Sequence, residues 1–220
     1  MYHQNITAMK SNQITREKFF DASERKAILQ TVKRKAEEDI QAGRKKWPFR
    51  FMLLHLLFYS GLRIAEACAL RVSDLYLDVS DAYLLVRKGK GNKKRTVYIN
   101  SQLAADLLQF VQGKDPESYL FSCKGRKYTT CGAWRAFKAC IKAAGLRNDL
   151  TVHSCRHTFA TYLLHHTRDL RFVQNQLGHS SPETTAIYAN ILPEDNGRLA
   201  NMMRSDISGC LSTTESREVA

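Results

Sequence analysis

Residues 49–70 read FRFMLLHLLFYSGLRIAEACAL, and they are the stretch on which the fold turns. The run 49–59 is the most apolar in the chain and contains His55. It is too short to span a bilayer, which takes about 20 residues. We therefore expect a buried helix, opened by Trp47-Pro48. Gly61 interrupts the run, and residues 62–70 are predicted to begin a short new helix. A helix that is apolar on every side has to be surrounded, so the remaining chain is read as its surroundings.

Upstream, Asp21 and Glu24 have the spacing of a capping box, after which Ile28, Val32, Ala36 and Ile40 recur every four residues. This predicts an amphipathic helix ending near Gly43, with Arg25, Lys26, Lys33, Arg34 and Lys35 on its other face. Residues 1–20 are polar and lack periodicity, and are expected to form a mobile or loosely docked arm. Downstream the period changes. Residues 75–77, 82–86 and 96–99 are short β-rich runs separated by turn residues, as in a small antiparallel sheet. Between the last two lies a turn, 87–95, of almost entirely basic and turn-forming residues.

From Ser101 onward the pattern is helical, over 103–111, 131–144, 154–165, 170–177, 182–190 and 194–204. Gly145 and Gly178 stand where helix C-termini need a left-handed residue. Ser181-Pro182 pairs a cap residue with a first-turn proline. The tail 208–220 is polar and expected to be disordered. The fold class is thus mainly α with a small three-stranded antiparallel β-sheet, in one domain over 21–207.

Lys plus Arg number 34 against 21 for Asp plus Glu, a formal net charge of +13. That balance, with a pI near 9.6, is what a protein resting on a polyanion would carry. The six cysteines (Cys68, Cys123, Cys131, Cys140, Cys155 and Cys210) show no paired spacing, and no signal peptide precedes them. A disulfide framework or zinc site is not expected, and a cytoplasmic location is.

Breaking a phosphodiester without a metal requires a nucleophile, cations around the non-bridging oxygens and a proton for the leaving hydroxyl. Tyrosine can form the covalent intermediate, Arg and His donors meet the oxygens, and lysine or histidine can be the acid. Residues of these kinds are present. Arg63 has Glu66 at i+3, while His153, Arg156 and His157 share one helical face. His179 follows Gly178, Tyr188 lies near the end of a short helix, and the basic turn offers Lys88, Lys90 and Lys93. Singly these read as a surface ion pair, a polar face, a helix cap, a core tyrosine and a solvated turn. Their joint occurrence is what points to phosphoryl chemistry.

Gly61-Leu62-Arg63-Ile64-Ala65-Glu66 resembles the first signature box of the tyrosine recombinases, the phage integrase and bacterial Xer family. His153-Ser154-Cys155-Arg156-His157 resembles the second box. Leu177-Gly178-His179 followed by Ile187-Tyr188 resembles the third, and Gly89-Lys90-Gly91-Asn92-Lys93 the β-hairpin lysine segment. The resemblance implies the catalytic-domain fold of that family and the following roles. Tyr188 is the nucleophile of a 3′-phosphotyrosyl link, and Arg63 and Arg156 clamp the scissile phosphate. Lys90 is the general acid, while His153 and His179 assist proton transfer and phosphate binding. Glu66 orients Arg63, and His157 is structural.

The activity so implied is site-specific DNA recombination for integration, excision or inversion, with no metal, cofactor or ATP. The implied partners are double-stranded DNA and further recombinase protomers, as a dimer or tetramer on DNA. The helix at 194–204, with Leu199, Met202 and Met203, would dock on a neighbour or close its own domain; no membrane is involved. The rivals are a type IB topoisomerase-like nicking-closing enzyme and a non-catalytic DNA-binding accessory or regulatory protein on the same scaffold. An RNA-binding module lacks a stacking-aromatic motif. Members of the family commonly carry a core-binding domain of about a hundred residues ahead of the catalytic one. Here only the short arm precedes it, as in a naturally short enzyme or a piece of a longer one.

Overall fold

A computed structural model describes residues 19–78, 81–87 and 94–179. Helix α1 (Ala22–Gln41) begins with the expected capping box: the Asp21 carboxylate accepts the Glu24 N–H at 2.8 Å, and Glu24 accepts the Asp21 N–H at 3.0 Å. It lies along α2 (Lys46–Ser60), whose residues 52–58 are all buried. Helices α4 (Ser101–Phe110), α5 (Thr130–Ala143) and α6 (Val152–Thr167) close round α2 on its other sides. The helix apolar all round is indeed the centre of the core.

One expected core residue is on the outside. Ile28, Val32 and Ala36 are buried, but Ile40 is 63% exposed. Steps of four residues overshoot a 3.6-residue turn by about 40°, so three steps carry Ile40 well off the buried face. Asp39 is buried instead, where it binds the Arg44 guanidinium (2.7 Å) and accepts the Trp47 N–H (2.9 Å) in the first turn of α2.

After α2 the chain turns at Gly61 into α3 (Ile64–Ala69), then through a 3-10 turn at Val72–Asp74 into the sheet. Strands β1 (Leu75–Tyr76), β2 (Tyr83–Val86) and β3 (Arg95–Tyr98) run antiparallel in the order β1-β2-β3. Leu84, Val86 and Val97 face the core. On the other face Tyr76 stacks on Tyr83 at 4.4 Å, and Tyr98 meets Tyr83 edge-on at 6.2 Å. A second hairpin, β4 (Ser122–Cys123) and β5 (Arg126–Lys127), was not foreseen. Its strand residues are exposed and polar, so burial leaves no alternating pattern; the signal is confined to the turn, where Lys124 (φ 51°) and Gly125 (φ 71°) are both left-handed.

Helix α6 leads through a left-handed Arg168 into α7 (Leu170–Leu177), and the two share a small apolar cluster of Ala160, Leu164, Val173 and Leu177. Strand β3 leans on α7, the Tyr98 N–H donating to the Gln176 side chain at 3.1 Å. The expected arm, through residue 18, lies outside the described residues, as do the helices expected at 182–190 and 194–204 and the tail. Phe20, its last residue, is buried. Its N–H donates to Thr158 Oγ1 of α6 at 2.9 Å and its ring packs edge-on to Phe58.

Among the described cysteines none is in a disulfide. Cys68, Cys140 and Cys155 are buried and Cys123 and Cys131 exposed. Burial raises the Cys68 thiol to about 11 and the Cys140 thiol to about 12. No described helix is long and apolar enough to cross a membrane.

Two glycines bring distant segments together. Gly61 (φ 61°) ends α2, and a Cβ on it would lie 2.4 Å from the Phe159 ring of α6; Gly178 (φ 65°) ends α7, and a Cβ there would lie 2.7 Å from Arg95 Cδ. Gly43 shares the left-handed backbone (φ 67°) but has open space around it. Gly43→Ala should therefore cost about 1 kcal/mol, the backbone penalty alone. Gly61→Ala should cost roughly 3 kcal/mol, because overpacking is added. Urea unfolding midpoints measure this difference, and a G61A midpoint as high as that of G43A would contradict the packing argument.

Candidate active site

Arg63 stands at the N-terminus of α3, held there by the turn at Gly61. Its side chain is 26% exposed, and its NH1 donates to Glu66 Oε1 at 2.9 Å. Arg156, one helical turn into α6, is buried at 5% exposure. It donates to the carbonyl of Gly61 and to that of Leu177, each at 2.6 Å. A buried guanidinium has to satisfy its N–H groups, and here the C-terminal carbonyls of α2 and α7 supply the oxygens. The same two bonds bring the loop before Arg63 and the loop before His179 to one place.

His179 follows Gly178 at the end of α7, its own N–H donating to the Gln174 carbonyl at 3.1 Å. Burial, then the charges of Arg156, Arg63, Arg95 and His157, hold its imidazole down at about 4. It is therefore neutral at pH 7 in a cationic neighbourhood. Of the residues singled out in the sequence, Arg63, Arg156 and His179 are brought together, with His157 half-buried beside them. His153 is in the first turn of α6 on the same face as Arg156 but is exposed. No hydrogen bond or ion pair ties it to the others among the described residues. Lys90 and Tyr188 lie outside the described residues.

Sequence reasoning missed Arg95. It was counted as the last residue of the basic turn, whereas it is the first residue of β3 and its side chain is only 12% exposed. Its NH1 and NH2 donate to Glu66 Oε1 and Oε2, both at 2.9 Å. Strand alternation carried the signal: Arg95 shares a face with Val97, which is wholly buried. Glu66, expected to serve Arg63 alone, serves both arginines, and its Oε2 also accepts the Arg63 N–H at 2.8 Å. Burial would raise the Glu66 carboxyl, but the hydrogen bonds from Arg95 and the Arg63 backbone, with both positive charges, outweigh it and hold the group at about 2.

Two guanidiniums thus share one carboxylate, and with that of Arg156 they leave surplus positive charge beside a neutral imidazole. Guanidinium donors so grouped have the fork-like geometry that suits a tetrahedral oxyanion. Residues 18–195 match the model of the phage integrase family. The chain belongs to that family.

Curated relatives include a tyrosine recombinase of Pseudothermotoga lettingae, 36% identical over 147 residues, which make up 66% of this chain and 50% of the relative. The tyrosine recombinase XerA of Pyrococcus horikoshii is 36% identical over 145 residues, 64% of this chain and 50% of that one. This phage integrase family chain spans about half the length of the curated relatives it matches. Among solved structures, that of XerA recombinase superposes with a TM-score of 0.66 at 28% identity, over 84% of this chain and 65% of the other. XerH site-specific recombinase bound to its difH substrate, in a pre-cleavage complex, superposes with a TM-score of 0.67 at 27% identity, over 92% and 56%. The mainly helical architecture with its three-stranded sheet is thus that of these recombinases.

Groups held below their ordinary values set the acid response. His179 is held below its ordinary 6.5, and burial lowers the His55 imidazole as well. The His179 contribution to stability is present above pH 6.5 and is lost as the pH falls from there towards 4, and the His55 contribution is lost in the same direction. Glu66 is held below its ordinary 4.5, so its contribution is present above pH 4.5 and is lost between 4.5 and 2. Glu66→Gln should flatten the lower segment of a stability-against-pH curve and cost on the order of 2–3 kcal/mol at pH 7. His179→Gln should weaken the upper segment, leaving the part due to His55. Denaturation midpoints from pH 7 to pH 3 read both effects.

Proposed function

We propose that this chain cleaves and rejoins duplex DNA through a 3′-phosphotyrosyl intermediate on Tyr188. The observation that carries the reading is the convergence of Arg63, Arg156 and His179, from three separate elements, into one cationic pocket. The family match across 18–195, which includes Tyr188, supports it.

In this reading the scissile phosphate sits against Arg63 and Arg156. The Tyr188 oxygen attacks phosphorus as its proton passes to His153. The bond from phosphorus to the 5′-oxygen breaks, and Lys90 supplies the proton that the leaving oxygen takes up. His179, neutral at pH 7, donates a hydrogen bond to a non-bridging oxygen without adding a charge that would have to be desolvated. Rejoining reverses the steps with a 5′-hydroxyl of another strand as nucleophile. The energy of the broken bond is kept in the phosphotyrosine, so none of these steps consumes ATP.

Protomers of the same kind are the second partner. An apolar cavity of about 330 Å³ opens between α2, β3, α6 and α7, lined by Phe58, Tyr98, Phe159, Leu163 and Phe172. The occupant we assign to it is the segment 194–204 of a second copy, which carries Leu199, Met202 and Met203 on the 41 residues beyond His179. That seat would link neighbouring protomers on DNA.

The reading is tested by trapping on nicked suicide duplexes drawn from DNA flanking the gene and from a random pool, in EDTA. Wild type should leave a protease-sensitive shifted band and Tyr188→Phe none. Arg63→Ala and Arg156→Lys should lose roughly a hundred- to a thousandfold in rate. DNA bound by both proteins with no adduct from either would favour the accessory-protein rival. Relaxation of plasmid lacking any specific site would favour the topoisomerase. Affinity should also drop roughly a thousandfold between 50 and 200 mM salt if six or so phosphates are contacted.

A further inference from the structure

We propose that Arg95 is a positioning residue of this site: it holds Glu66 so that Arg63 keeps a free charge for an incoming phosphate, and it fixes the turn that presents His179. The inference rests on the phosphate-binding reading of the pocket and adds to it a residue with no place in the motifs.

Consider the Glu66 carboxylate first. Each oxygen accepts one bond from each arginine: Oε1 from Arg63 NH1 and Arg95 NH1, and Oε2 from the Arg63 N–H and Arg95 NH2, all at 2.8–2.9 Å. Four donors saturate a carboxylate. With Arg63 as its sole partner, Glu66 would neutralise it, and an approaching phosphate would meet an ion pair. With Arg95 added, the trio carries one net positive charge. Arg63 is the member that can display it, being 26% exposed where Arg95 is 12% and Glu66 5%.

Arg95 is also tied at its other edge. Its Nε donates to the Gln176 carbonyl at 3.3 Å, one residue before the carbonyl that Arg156 holds. Its guanidinium lies flat against Gly178, where a Cβ would come within 2.7–3.0 Å of Cδ, Nε and Cζ. The turn into His179 is therefore gripped by Arg156 on one carbonyl and Arg95 on the next. With NH1 and NH2 on Glu66 and Nε on Gln176, Arg95 acts through its neighbours rather than as a ligand.

Two readouts separate this role from general support. The first uses inorganic phosphate as probe, titrated against the His179 ring resonances by NMR in wild type, Arg95→Lys, Arg95→Gln and the charge-balanced double variant Glu66→Gln/Arg95→Gln. Lys142→Gln, on the exposed side of α5, controls for net charge. Arg95→Gln should weaken phosphate at least tenfold, and Arg95→Lys, which keeps the charge but not the fork, about threefold. Lys142→Gln should leave it unchanged. The second readout is single-turnover cleavage on a duplex with a 5′-bridging phosphorothiolate, whose leaving group needs no acid. The Arg95→Gln defect should persist there, since it lies in phosphate binding, and the loss in the double variant should be smaller than the product of the two single losses.

Phosphate affinity unchanged in Arg95→Gln, a wild-type pocket that leaves His179 unshifted, or losses that multiply in the double variant would overturn the proposal. A wild type that binds phosphate in the predicted order yet forms no adduct would instead sink the recombinase reading and leave the role of Arg95 standing.

Discussion

Arg156 is the side chain on which the rest of the arrangement depends. A guanidinium at 5% exposure is tolerable only where its donors are met. They are met here by two helix ends, at Gly61 and Leu177, that would otherwise hold unsatisfied carbonyls. The exchange solves two burial problems at once and sets the distance between α3 and α7. Arg63 and His179 inherit their positions from it. Both glycines are needed because each must be left-handed and each lies against another side chain.

Concentrating like charges is costly, and the fold meets the cost with one carboxylate. Glu66, almost wholly buried, is shared by two arginines, and its low titration point measures how strongly the ionised form is favoured. The His179 imidazole is held neutral first by its burial and then by the same field, since its protonation would add a further cation to the group. Surplus positive charge gathered at one place in this way is the usual tension between a stable fold and a functional arrangement of charges.

Much of this architecture was legible in the chain, for identifiable reasons. The central helix announced itself by being apolar all round, α1 by its capping box and α7 by Gly178. The small sheet appeared as a change of period. Ile40 misled because an every-fourth-residue pattern drifts round a helix, and the 122–127 hairpin was silent because nothing in it is buried. In the site, Arg63, Arg156 and His179 were found from their motifs and do converge. Arg95 escaped because a basic turn conceals where the turn ends and the strand begins. Its burial follows from pairing with Val86 and from facing the same way as Val97, which takes the register to see. Lys90 and Tyr188 rest on the motifs and on the family.

The bond between Arg156 and the Gly61 carbonyl spans 95 residues of chain. On a ribosome adding about 5–20 residues per second, Gly61 would wait roughly 5–20 s for its partner to be made. Until then α2 can collapse with α1, but the cationic pocket does not exist. A nascent chain thus packs its first two helices well before the arginine that joins the ends of α2 and α7 has been made. The order of translation therefore sets the order of assembly: the core begins to form first, and the convergence of Arg63 and His179 waits on Arg156 and on α7.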